Sequence, residues 1–146
     1  MFHVKLKIMI NYFSNYKNFE LSNPENVTAW IKDAVDREGK RVGEVQYIFC
    51  DDEYLLDINK RFLQHDYYTD IVTFPLGESD NIVSGEIYIS IDRVRENAEM
   101  NRVSFENELS RVIIHGVLHL IGYDDHSEEE KKEMRSKEDY YLNLLK

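Results

Sequence analysis

The chain is poor in several things, and each scarcity excludes something. Cys50 is the sole cysteine in 146 residues, so no internal disulfide can form, and the usage suits a reducing compartment. Prolines number two while hydrophobic residues make up 42%, a composition that argues against wholesale disorder. Every apolar stretch is broken by charge or histidine well before membrane-spanning length. Met1 to Lys7 alternates apolar and polar residues where a secretory leader would be continuously apolar, so a cytoplasmic protein is expected. Basic side chains are scarce: 18 Lys and Arg stand against 28 Asp and Glu, a net charge of −10. That excess works against broad, non-specific binding to polyanions, although a local basic groove is compatible with it. The length fits one domain over residues 1–146 with a real core.

What is present is periodic. Phe2, Val4, Leu6, Ile8 and Ile10 alternate with polar positions and predict a half-buried strand. Asn23 and Pro24 open a helix whose apolar face is Val27, Trp30, Ile31, Ala34 and Val35, with Gly39 at its end. Val45 to Cys50 reads as a second strand. Asp51 and Asp52 cap a second helix with Leu55, Ile58 and Phe62 inward. Ile71 to Phe74 and Gly85 to Ile91 predict a hairpin across a turn at Gly77 to Asn81. Asp92 caps a short helix to about Asn101. Ser104 caps a helix that is apolar over most of its circumference, as expected for the middle of a domain. Ser127 and Glu130 form a capping box for the last helix, ending near Leu145. The order β-α-β-α-β-β-α-α-α predicts an α+β fold, a small four-stranded mixed sheet packed against about five helices.

Three of the five histidines fall in one segment, at His115, His119 and His126. His115 and His119 are four apart and share a helix face. Gly122 can then stop the helix and turn the chain back, delivering a third ligand from beyond the turn. Two helical histidines plus a ligand beyond a glycine turn match a three-ligand catalytic zinc site with a coordination position left for water. A closed structural site would use four protein ligands, often cysteines, and the lone cysteine is remote. The zinc-peptidase pattern has glutamate directly after its first histidine; here that place is Gly116, so its general base is missing. Asp124, beside the third ligand position, is a candidate to relay the proton or to orient a histidine.

The run His115-Gly116-Val117-Leu118-His119-Leu120-Ile121-Gly122-Tyr123-Asp124 resembles the signature of the YbeY family of single-domain zinc-dependent endoribonucleases in ribosomal RNA maturation. Two further blocks resemble that family in the same order: Tyr68-Thr69-Asp70-Ile71-Val72-Thr73-Phe74-Pro75 and Gly85-Glu86-Ile87-Tyr88-Ile89-Ser90. The resemblance covers most of the chain after about residue 45. It implies the same α+β fold, one Zn2+ per chain and a single-strand-specific endoribonuclease. It also implies ribosomal RNA precursors and ribosomal particles as partners, with no membrane and no DNA. Thr69 and Asp70 are then expected to line the cleft. The family's third ligand is a histidine six residues after the second. Ungapped counting, supported by Met134 at the family's methionine spacing, places Asp125 there, while His126 next to it is the better zinc ligand by type. The family arginine that precedes the Thr-Asp pair is Leu63 here, which leaves His65 as a candidate phosphate contact. Arg93, Arg95, Arg102 and Arg111 belong either to solvated ion pairs or to a phosphate groove. Two rival functions are a zincin-type peptidase or amidase with its base supplied from elsewhere, and a ribosome assembly factor whose metal only stabilises the fold.

Overall fold

The computed structural model describes residues 9–77 and 80–145. Its elements are β1 (Met9–Ser14), α1 (Pro24–Arg37), β2 (Arg41–Cys50), α2 (Asp52–Leu63), β3 (Ile71–Pro75), β4 (Ile82–Ser90), α3 (Ile91–Asn101), α4 (Phe105–Ile121) and α5 (Glu128–Leu144). This is the expected α+β order. The sheet runs β1-β2-β4-β3, with β1 parallel to β2, β2 parallel to β4, and β3 antiparallel to β4 at its edge.

Helix α4 lies at the centre. Val112, Ile113, Ile114, Gly116, Val117 and Leu118 are all buried against the sheet and the flanking helices. The closest approach is at Gly116, where a Cβ would stand 2.8 Å from Ile87 Cγ2 and 3.0 Å from Ile71 Cδ1. Gly85 makes the reciprocal approach, with its missing Cβ 2.7 Å from Leu120 Cδ2. The two glycines let helix and strand backbones come together. Helices α1 and α5 close the other side. Trp30 Nε1 donates to the Tyr141 carbonyl at 2.7 Å, and Tyr47 Oη donates to the Ile113 carbonyl at 2.9 Å, so the large aromatic polar tips are satisfied inside the core.

The α1 face is the five residues read from the sequence, and Gly39 follows it with φ +78°. Other readings need correction. Phe2 to Ile8 lies outside the described residues, and the described strand is Met9–Ser14. There Tyr12, half-buried, packs its ring on Tyr47 and pairs its hydroxyl with Thr28 (2.8 Å). β2 starts at Arg41, because Gly43 sits at a register irregularity against Ser84 and hides the strand's first half. Asn23 has φ 50° and its side chain makes no cap. Phe62 is 63% exposed, edge-on to Phe74, and Asn59 takes the inner position by donating to the Tyr67 carbonyl at 3.0 Å. Ser90, not Asp92, caps α3 by accepting from Arg93 N, so Ile91 belongs to the helix. Asp92 accepts instead from Tyr16 Oη at 2.6 Å and Asp52 N at 3.0 Å, which ties α3 to the start of α2. Of the expected turn, Glu78 and Ser79 lie outside the described residues.

Candidate metal centre

One face of α4 carries Arg111, His115 and His119 at successive four-residue steps. Gly122 ends the helix with φ +126°, and Gly122 N and Tyr123 N both bond back to the Leu118 carbonyl. No atom crowds a Cβ at Gly122, so its demand is conformational. The reversed chain brings Asp125 back over the helix. Asp125 Oδ2 lies 3.5 Å from His115 Nε2 and 3.6 Å from His119 Nε2. One ligand atom from each of the three residues lies within 4.8 Å of the other two, and among the described residues this is the only such group.

The spacing fits a metal ion. Tetrahedral zinc with nitrogen and oxygen bonds near 2.1 Å has donor-to-donor edges of about 3.3–3.6 Å. Both Nε2-to-carboxylate distances fall there. Two neutral imidazoles and one carboxylate form a mixed N/O set of the open, catalytic kind.

Behind the donors stands a buried carboxylate that sequence reasoning did not find. Glu138 of α5, 5% exposed, faces His115 Nδ1 with Oε2 at 2.6 Å and accepts from Arg111 Nη1 on Oε1 at 2.8 Å. Arg111 also reaches Asp139 at 2.7 Å. A carboxylate on Nδ1 fixes the tautomer and leaves Nε2 turned to the ion. The signal lay in α5, whose inner face is Met134, Glu138 and Tyr141, an apolar i, i+4, i+7 stripe interrupted by one acid.

These contacts set the protonation preferences. Burial opposes charge on His115, but the Glu138 hydrogen bond and the carboxylates of Glu138, Asp70 and Asp125 outweigh it, and its pKa rises. Burial and the neighbouring His115 charge hold His119 below the ordinary histidine value. Burial pushes Glu138 up, yet its bonds to His115 and Arg111 win and carry it below the usual glutamate value. Asp70 is raised by burial, partly offset by attraction to His115.

The structure therefore groups some expected site residues and separates others. His115, His119 and Asp125 converge. Asp124, exposed, acts electrostatically on His119, and Asp70 at the start of β3 acts on His115. Thr69 bonds locally to the Ile71 carbonyl at 3.4 Å. His126 lies outside the donor group and is exposed, its charge felt at Glu130. His65 is exposed and stacked on Tyr67, 5.1 Å between ring centroids, with Nδ1 3.0 Å from the Tyr67 hydroxyl. Arg93 pairs with Asp52 and Glu96, Arg95 lies over the Tyr16 and Phe105 rings, and Arg102 caps α3.

Fold and site together define an α+β protein with a three-donor metal-type centre on its buried helix. The family model described as "Endoribonuclease YbeY" matches residues 11–146, and the chain belongs to the YbeY family. A Flavobacterium psychrophilum protein named endoribonuclease YbeY is 50% identical over 132 residues, covering 90% of this chain and 94% of its own. One from Cytophaga hutchinsonii with the same name is 44% identical over 137 residues, covering 94% and 96%. The solution structure of a Thermotoga maritima protein superposes with a TM-score of 0.68 at 36% identity, over 94% of this chain and 89% of that one.

Proposed function

We propose that this chain is a zinc-dependent endoribonuclease. It cuts single-stranded RNA, with ribosomal RNA precursors as substrates, and serves ribosome maturation in the cytoplasm. The observation that carries the metal reading is the convergence of His115, His119 and Asp125, with the Asp125 carboxylate 3.5 and 3.6 Å from the two Nε2 atoms, the edge length of a tetrahedral zinc site. The relatives' shared name supports RNA as the substrate. No helix among the described residues is long and apolar enough to cross a membrane.

One zinc ion per chain, held there, supplies Lewis acidity toward a phosphodiester oxygen and acidifies water. The protein's part is positional. Glu138 keeps the proton on His115 Nδ1 and aims Nε2; Arg111 holds Glu138 in turn. Asp125 adds a negative donor, which lowers the net charge of the site and makes water there less acidic than three histidines would. Asp124 and Asp70 are the carboxyl groups beside the two histidines and are assigned to proton transfer, with Thr69 shaping the entry to β3. The peptidase alternative finds little support, since the place of its glutamate is Gly116, which packs on Ile87 and Ile71 and leaves no path for a carboxylate to the donors.

The test is metal content together with cleavage of a single-stranded oligoribonucleotide, for wild type, His119→Ala, Asp125→Ala and His126→Ala. Wild type and His126→Ala are expected to carry one zinc and to cleave. His119→Ala and Asp125→Ala are expected to lose both properties. Zinc kept in Asp125→Ala but lost in His126→Ala would move the third ligand to His126. A zinc-loaded wild type that leaves RNA intact would end the nuclease reading.

A further inference from the structure

A cleft of 370 Å³ opens beside His115 and Asp125, and its far wall is the first half of α5: Glu128, Lys131, Lys132, Met134, Arg135 and Glu138. Met134 is 2% exposed and pins the helix to the core, so the wall is fixed while the long basic side chains project from it.

The acids in this wall are spent or far out. Both Glu138 oxygens are engaged, by His115 and Arg111 at 2.6 and 2.8 Å. Glu128 is 87% exposed and meets Lys131 only at 3.7 Å, a solvated pair that holds neither group strongly. The cations are the reverse. Arg135 touches Glu138 at a loose 3.8 Å with its side chain 61% exposed, so most of its five donors point to solvent. Lys132 is exposed and forms no ion pair among the described residues. Lys131 to Arg135 covers one helical turn, about 6 Å of wall. The cleft lining carries three cations, Lys131, Lys132 and Arg135, against three acids, of which Asp125 and Glu138 are taken up by the metal-type centre.

The class of ligand follows from the chemistry. Lysine and arginine heads along a groove hold phosphates without reading bases. We propose that Lys131, Lys132 and Arg135 form a rail that seats the backbone phosphates of single-stranded RNA next to the one being cleaved. This rests on the RNA-cleaving reading above and adds where the strand lies, along α5. The contacts 3.8 Å from Arg135 to Glu138 and 2.6 Å from Glu138 to His115 set the rail one carboxylate behind a metal donor, so a strand on it passes over the centre.

The experiment is binding of a labelled 2′-O-methyl single-stranded oligoribonucleotide across a salt series, for zinc-loaded wild type, Lys132→Gln/Arg135→Gln, and Lys32→Gln, an exposed lysine on α1. Losing two phosphate contacts should reduce the slope of log affinity against log salt by about 1.4, since each contact on a single strand contributes about 0.7. Affinity at moderate salt should drop about tenfold, with zinc content and melting temperature at wild-type values. Lys32→Gln should keep the wild-type slope. On cleavable RNA the double variant should show a rise in KM that exceeds its change in kcat. An unchanged slope in the double variant, an equal loss in Lys32→Gln, or no binding by wild type overturns the rail. If wild type binds with the expected slope change but does not cleave, the rail stands and the nuclease reading falls.

Discussion

Glu138 accepts from two partners on the preceding helix, the Arg111 guanidinium and the His115 imidazole N–H, while almost wholly buried, and that makes it the most exacting single residue near the centre. A buried carboxylate is tolerated only when its lone pairs are used, and here each oxygen has a partner. Replacing it with an isosteric amide keeps the volume and removes the charge that orients His115 and balances Arg111. Glu138→Gln is therefore expected to weaken zinc affinity by roughly 10–100-fold, the usual effect of removing a partner behind a ligand. Competition with a chromogenic chelator measures it; affinity within twofold of wild type would show that His115 needs no such support. Protonation acts on the same residue. Because its carboxylate neighbours raise the His115 pKa, protons compete for the ligand at higher pH than they would for an ordinary histidine.

At the scale of elements, α4 is both core and site, and Gly116 separates the two faces. Gly116→Ala gains about 1 kcal/mol of helix propensity but forces a Cβ onto Ile87 and Ile71 at 2.8 and 3.0 Å, an overpacking that costs about 1–3 kcal/mol. A net loss in chemical denaturation is expected. Gly116→Glu should lose much more and gain no peptidase activity, since its carboxylate would enter the sheet. A Gly116→Glu protein as stable as wild type would refute this packing account. The sequence made much of this helix legible: its caps, its apolar girth, the histidine pair and the glycine turn all follow local rules. The α1 face and the hairpin were legible for the same reason. What stayed hidden depends on partners distant in the chain. Glu138 reads as one more charge on a charged helix until His115 and Arg111 face it. Asp92 reads as a helix cap until Tyr16 and Asp52 claim it. That Asp125 rather than His126 faces the two histidines depends on how far Gly122 carries the chain back, which residue types alone do not state.

Across the whole molecule, a half-buried carboxylate joins parts far apart in sequence. Glu38, just past α1, accepts from Tyr123 Oη at 2.5 Å, from Lys137 at 3.1 Å and from Tyr141 Oη. Burial works to raise its pKa, but these three donors prevail and lower it. A carboxylate with a depressed folded pKa contributes stability above its unfolded value and loses it as pH falls through the folded one. Urea unfolding should therefore show wild type losing stability as pH drops below the ordinary glutamate range. Glu38→Gln should be less stable at neutral pH with a flatter acid limb; parallel curves for the two proteins would remove Glu38 from the acid response. Tyr123 directly follows the glycine that turns Asp125 toward the histidines, so its anchor lies 85 residues away in the chain. The histidine–glycine–aspartate segment is consequently no portable cassette. Grafted onto a foreign helix it would bring the donor atoms and leave behind the clamp that sets their angle.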